Sequence, residues 1–190
     1  SLSRVDSSQN FDRGMIEDRF QQMLEGEELG MSFVAWKDGE EFVSLHGGWK
    51  DRRHEEAWTE ETIAPVWSAT KGPMAVSLLM ALHRVGMDGD SLVERVWPEL
   101  AAPNVTIGEL MSHQGGLAAL DEQVSIWDRE AVVAALEKQE PKWPVGEHGY
   151  HPRTIGFLAD ELVRRVDGRS LGVFWSEEIA EPNGIEFWIG

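Results

Sequence analysis

A chain of 190 residues, 42% of them hydrophobic, is long enough to bury a core as one domain, or as one domain and part of another. Its 34 acidic against 17 basic side chains, a formal charge of -17, oppose binding to phosphate backbones or anionic lipid and so exclude nucleic acid and membrane surfaces as partners. The absence of cysteine excludes a disulfide framework, thiol catalysis and zinc-thiolate sites.

The polar stretch Ser1 to Asn10 holds no apolar signal-peptide core, and no apolar run approaches the ~18 residues that span a bilayer. The expected setting is soluble and cytoplasmic, and the missing initiator Met points to a processed or engineered start. From Phe11 to Glu25, apolar residues recur at helical spacing, which predicts an amphipathic helix. Met31 to Trp36 and Glu41 to Trp49 read as strands joined through Lys37-Asp38-Gly39-Glu40, whose Asp-Gly pair is a strong hairpin signal. The acidic stretch Glu55 to Glu61 reads as a solvated face.

At Val66-Trp67-Ser68-Ala69-Thr70-Lys71-Gly72 an apolar, extended run meets a helix predicted to begin at Ser68. Met74, Ala75, Leu78, Leu79, Leu82 and Val85 give this helix a broad apolar face, Gly86 ends it, and the stripe predicts deep burial. Thr106 and Glu109 have the form of a capping box for a helix running to about His113, before Gly115 and Gly116 break it. Asp128 is the predicted N-cap of Arg129 to Gln139. The Pro141 to Gly146 loop leads to Tyr150-His151-Pro152. Thr154 to Val166 and Leu171 to Ala180 read as two more amphipathic helices, and Ile185 to Ile189 as the start of something extended.

The expected organisation is therefore a helix and hairpin over residues 1–66, a nucleophile helix and helical domain over 67–181, and a return to the α/β layer over 182–190. Two strands leave that layer short of a sheet, and an open two-stranded sheet invites pairing. A second copy of the chain, or a complementary C-terminal chain completing the sheet, is the expected protein partner.

Ser68 and Lys71, three residues apart on a helix, share a face, so a hydroxyl nucleophile can lie beside an amine base. The spacing is weak evidence by itself, since it should arise by chance in roughly one chain in three of this composition. Gly-x-Ser-x-Gly is absent, which argues against an α/β-hydrolase elbow. His148 and His151 lack a credible third metal ligand and are expected at a loop or rim, with His151 a candidate substrate contact. His113 is expected to bond within a turn. Of the 9 tryptophans, Trp67, Trp127 and Trp143 are candidates to line an acyl pocket.

Taken in order, an N-terminal helix, a hairpin, Ser68-x-x-Lys71, Leu110-Met111-Ser112-His113-Gln114-Gly115-Gly116-Leu117, Trp143-Pro144-x-Gly146, Tyr150-His151-Pro152 and Arg164-Arg165-Val166-x-Gly168-Arg169-Ser170-Leu171 form a specific pattern. It resembles the N-terminal half of the class C β-lactamase-like serine hydrolases, especially the family VIII carboxylesterases. The resemblance implies an α/β (α+β) fold, an antiparallel sheet flanked by helices plus an all-helical domain, with the C-terminal strands missing from this chain. It also implies Ser68 as acylated nucleophile, Lys71 as its base, Tyr150 as second proton carrier, a small-molecule ester or amide substrate, and no metal or organic cofactor. Pro152 stands where the β-lactamases carry the Asn of Tyr-x-Asn, which turns the expectation from β-lactams towards esters. The absent strands would normally bring one donor of the oxyanion hole, a loss worth ~10²–10³ in rate.

Overall fold

The computed structural model describes residues 12–26, 28–102 and 104–190. Phe11, placed by the sequence in the first helix, lies outside them, as does the stretch Ser1 to Asn10. The chain divides into two compact units, Ser1–Pro65 and Val66–Gly190.

In the first unit, helix α1 (Arg13–Gly26) precedes strands β1 (Gly30–Lys37) and β2 (Glu40–Gly48), the antiparallel pair that makes up the sheet among the described residues. Asp38 and Gly39 both adopt positive φ, 53° and 83°, as a tight two-residue hairpin requires. The register runs from Gly30 opposite Gly48 to Lys37 opposite Glu40, with an irregularity between Ala35 and Trp36. Gly47 lets α1 lie close on β2, since a Cβ there would come within 2.9 Å of a Leu24 methyl and 3.6 Å of the Phe20 ring. Phe33, Val34 and Trp36 of β1 are exposed. The acidic stretch after β2 is solvated as read, with Glu55, Glu56, Glu60 and Glu61 all exposed, but its backbone is tied down at one end. The Asp51 carboxylate accepts the backbone N–H groups of Arg53, Glu55 and Glu56 at 2.7, 3.2 and 2.9 Å, and the His54 ring stacks on Trp49 at 5.1 Å. The Glu56 N–H foremost holds Asp51 below the usual carboxylate range.

The second unit is helical. A 3-10 turn (Trp67–Thr70) enters α2 (Lys71–Arg84), and a second 3-10 turn (Val93–Arg95) precedes α3 (Ile107–Met111), α4 (Arg129–Lys138) and α5 (Thr154–Asp167). The last helical stretch is α6 (Leu171–Trp175), a π turn (Ser176–Ala180) and α7 (Glu181–Asn183). Leu78 and Leu82 of α2, Trp97, Leu110, Leu136, Leu158 and Leu162 of α5, and Phe174 of α6 are fully buried in one core. No helix among the described residues is long and apolar enough to cross a membrane.

Two features of α2 differ from the sequence expectation. Its α-helical ladder starts at Lys71, not Ser68, because Pro73 has no N–H to donate to the Ala69 carbonyl and Trp67, at the mouth of the 3-10 turn, holds a left-handed φ of 47° that no α-helix continues through. Its apolar stripe is also wider than the arc that α5 and α6 cover. Met74, Leu78, Ala81 and Leu82 are buried, whereas Val76, Leu79 and Val85 are about half exposed, Leu79 at 54%. Ile185 to Ile189 joins no strand among the described residues. It lies over α6, where Trp175 Nε1 donates to the Phe187 carbonyl at 2.7 Å and Gly172 leaves room for the Ile189 carbonyl.

The capping box of α3 is complete. Thr106 Oγ1 accepts the Glu109 N–H at 3.1 Å while Glu109 Oε2 accepts the Thr106 N–H at 2.9 Å. Thr106→Ala is expected to cost about 1 kcal/mol in urea denaturation, the usual loss for a removed cap. An unchanged midpoint would mean that water or Glu109 alone satisfies the helix end.

Candidate active site

Three chemically capable side chains converge in the second unit. Ser68 lies on the 3-10 turn and Lys71 is the first residue of α2, so one tight turn carries both to the same side. Lys71 Nζ donates to Ser68 Oγ at 3.1 Å. Tyr150, 82 residues further along the chain, brings its hydroxyl to 2.7 Å from the same Oγ. The ammonium also lies 5.1 Å from the centre of the Tyr150 ring. A hydroxyl held between an amine and a phenol has two neighbours able to take or return its proton, the arrangement an activated serine needs.

The Ser68 hydrogen bond first, then that of Lys71 and its charge, pull the Tyr150 phenol below the ordinary tyrosine value. Tyr150 is the only tyrosine in the chain, so the ultraviolet absorbance of phenolate reads this one group. Its titration midpoint is expected below the ordinary value of ~10, and Ser68→Ala or Lys71→Met should move it back up. A wild-type midpoint at the free-tyrosine value would mean that Ser68 and Lys71 do not favour phenolate at Tyr150.

The Tyr150 loop is fixed by the segment that follows α3. Lys142 N–H donates to the Gly116 carbonyl at 2.8 Å, Gly146 N–H to Gln114 at 2.9 Å and Gly149 N–H to His113 at 3.0 Å. Gly116 must be glycine, since at φ 70° a Cβ would meet the Trp143 carbonyl at 2.7 Å. The Trp143 indole donates to the Glu147 carbonyl at 2.7 Å and lies so close to Gly149 that a Cβ there would come within 2.3 Å of its ring. Trp143 therefore packs the inside of the loop, in edge contact with His151 at 5.6 Å.

His151 is not at a rim. It is fully buried, its Nε2 accepts the Leu117 N–H at 2.8 Å and its Nδ1 donates to the Gly149 carbonyl at 2.6 Å. With no exposed surface and both nitrogens engaged, it has nothing to offer a substrate, which corrects the sequence expectation. Trp67, next to Ser68, and Trp127 are 86% and 91% exposed. Among the described residues, no hydrogen bond or aromatic pair joins Trp127 to the Ser68 group. His113 does bond within its turn, but it also does more, since its Nδ1 accepts the His151 N–H at 3.1 Å and its ring meets Tyr150 edge-on at 4.8 Å. Burial first, then the Lys71 and His148 charges, lower His113 below the ordinary histidine value. Among the described residues no group of three or more His, Cys, Asp or Glu side chains is placed to hold a metal ion.

The family model described as Beta-lactamase matches residues 16–190. The chain belongs to the β-lactamase family. This β-lactamase-family chain is 31% identical over 169 residues to the Esterase/beta-lactamase LipL of Mycobacterium tuberculosis (strain ATCC 25618 / H37Rv), a match covering 86% of this chain and 39% of the relative. It is also similar to a penicillin-binding protein homolog from Caulobacter crescentus, at 37% identity and a TM-score of 0.84, over 93% of this chain and 50% of that one. A family VIII carboxylesterase matches at 33% identity and a TM-score of 0.83, over 93% of this chain and 51% of that one. The β-lactamase-family fold is thus present over a span of about half the length of these solved relatives.

Proposed function

We propose that the chain carries the nucleophile and proton-transfer groups of a serine hydrolase acting on carboxylic esters through an acyl-enzyme. The observation that carries this reading is the bonding of Ser68 Oγ to both Lys71 Nζ and Tyr150 OH. In the proposed cycle Ser68 Oγ attacks the ester carbonyl carbon and its proton passes to the Lys71–Tyr150 pair. The pair returns that proton to the departing alkoxide as the C–O bond breaks. Water then attacks the acyl carbon, giving a proton to the same pair, and the carboxylic acid leaves as Ser68 recovers its hydrogen. The residues do all the proton bookkeeping, so the cycle calls for no cofactor. The names of the esterase/beta-lactamase LipL and of the family VIII carboxylesterase support an ester, and Pro152, which has no side-chain amide to hold an amide substrate, supports it further.

The test is covalent labelling by a fluorophosphonate and hydrolysis of a short-chain p-nitrophenyl ester, on wild type and Ser68→Ala. Labelling at Ser68 that disappears in the variant supports the reading, and labelling or hydrolysis indifferent to Ser68 sinks it. Covalent trapping by a penicillin without ester turnover would move the assignment to β-lactamase or DD-peptidase chemistry.

A second reading, a non-catalytic module for assembly or binding, has its own observation in the two-stranded sheet and the exposed Phe33, Val34 and Trp36 of β1. It requires a dimer, or capture of a complementary chain, in light scattering, together with properties indifferent to Ser68→Ala. A monomer that turns over esters removes it.

A further inference from the structure

The proton chemistry just described needs the Tyr150 phenol held in place, yet Tyr150 sits on an irregular loop and is 49% exposed. Its own ring is not buried enough to fix it, so the loop backbone must. The residues on either side of Tyr150 are both tied to His113. The Gly149 N–H donates to the His113 carbonyl at 3.0 Å, and the His151 N–H donates to His113 Nδ1 at 3.1 Å. His151 is tied in turn to Leu117 and back to Gly149 through its ring. The His113 ring stands edge-on to Tyr150 at 4.8 Å and 5.5 Å from the His151 ring.

These bonds dictate the protons. His151 Nε2 accepts an N–H and is bare, so its proton is on Nδ1. His113 Nδ1 accepts an N–H and is bare, so its proton is on Nε2. A cationic His151 would set Nε2–H against the Leu117 N–H, two donors facing each other in a buried place. The charged groups facing the pair are Lys71, whose cation disfavours charge on His113, and His148, which disfavours it on both rings. His113 holds φ 68°, a conformation that histidine and asparagine adopt more readily than most side chains.

We propose that His113 and His151 are a positioning pair for Tyr150, two neutral rings of opposite tautomer that clamp both flanks of the tyrosine and thereby hold its hydroxyl on Ser68. This rests on the reading of Tyr150 as a proton carrier. It gives the pair no contact with substrate.

The test uses the whole chain and the absorbance of its single phenol, a readout that needs no catalysis. His113→Phe keeps a ring beside Tyr150 but removes the acceptor for the His151 N–H. The Tyr150 midpoint should rise towards the free value of ~10, and the rate of fluorophosphonate acylation at Ser68 should fall with it. His113→Asn supplies a side-chain oxygen and tolerates the left-handed backbone, so it should restore the midpoint in large part. A cooperatively folded His113→Phe with an unmoved midpoint overturns the proposal. Should that variant fail to fold, ring-nitrogen NMR of the wild type decides the matter. The Nδ1–H tautomer at His151 together with the Nε2–H tautomer at His113 supports the pair. The reverse form at either residue, or a cationic ring at neutral pH, overturns it. Absence of Ser68 labelling in a wild type with a depressed phenol midpoint would instead fault the assigned reaction and leave the positioning intact.

Discussion

Lys71→Met is expected to slow acylation of Ser68 by about 10²–10⁴, the range that a positioned acid–base group contributes. Methionine keeps the length and the apolar stem of the side chain, so α2 should keep its start, and the loss should be chemical. Lys71 Nζ is bonded to Ser68 Oγ at 3.1 Å and lies 5.1 Å from the Tyr150 ring. Removing it takes away one member of the pair that carries the serine proton and, in its protonated form, the charge that favours phenolate at Tyr150. Tyr150→Phe removes the partner at 2.7 Å and is expected to cost a similar factor. Because the two act on one proton, the double variant should lose far less than the product of the single losses. The measurement is the pseudo-first-order rate of fluorophosphonate labelling, which reads acylation without deacylation. Fully multiplicative losses would mean that Lys71 and Tyr150 serve separate steps, and a Lys71→Met rate within a few-fold of wild type would remove Lys71 from the proton path.

How much of this was legible in the sequence follows from how local each feature is. The Asp38-Gly39 turn, the Thr106–Glu109 capping box and the Asp128 cap of α4 are decided by residues within a few positions of each other, and they stand where they were read. The pairing of Ser68 with Lys71 needed only one helical turn. Tyr150 had no local signal at all, since its meeting with Ser68 depends on how the loop after α4 folds back, and only the resemblance of the whole motif series pointed to it. His151 misled for a physical reason. A histidine between tyrosine and proline in a Gly- and Pro-rich loop has the composition of a rim, while its burial comes from Trp143 and from the segment His113 to Leu117, more than thirty residues upstream. The double glycine after His113 was the available clue, because Gly116 is needed where that segment and the Trp143 loop run together. The broad stripe of α2 showed an apolar helix correctly but could not show which part of the arc α5 and α6 would cover.

Asp160→Ala is expected to cost about 2 kcal/mol, since it takes the acceptor from a part-buried ion pair and from a backbone N–H, less than the loss of one partner from a fully buried pair. Asp160 joins three elements from the middle of α5. Its Oδ2 accepts from Arg129 Nε of α4 at 2.7 Å and from Arg164 Nε one turn on at 2.8 Å, while its Oδ1 accepts the N–H of Leu171, the first residue of α6, at 2.8 Å. Burial alone would raise its pKa, but the two guanidinium groups and the Leu171 N–H outweigh it and hold the carboxyl below the usual range. Alanine leaves Arg129 with Glu161 alone and the Leu171 N–H with no acceptor. Asp160→Asn keeps an oxygen for Leu171 and should lose only part as much. Glu178, lowered to about 2 by Arg84 and Arg169, has in Arg84 a partner whose side chain is 44% exposed, so Arg84→Met should cost less than Asp160→Ala. The sign with pH follows from the depressed carboxyl. Its contribution is fully present above the unfolded value of ~3.9 and is lost as pH falls through the folded value, so wild type and Asp160→Ala should differ by a constant amount from neutral pH down to about 5 and converge in stronger acid. Urea denaturation across that range measures it. A loss below about 1 kcal/mol at neutral pH would show that the α4–α5–α6 junction is held by its apolar contacts, with the ion pairs contributing no more than surface ones do.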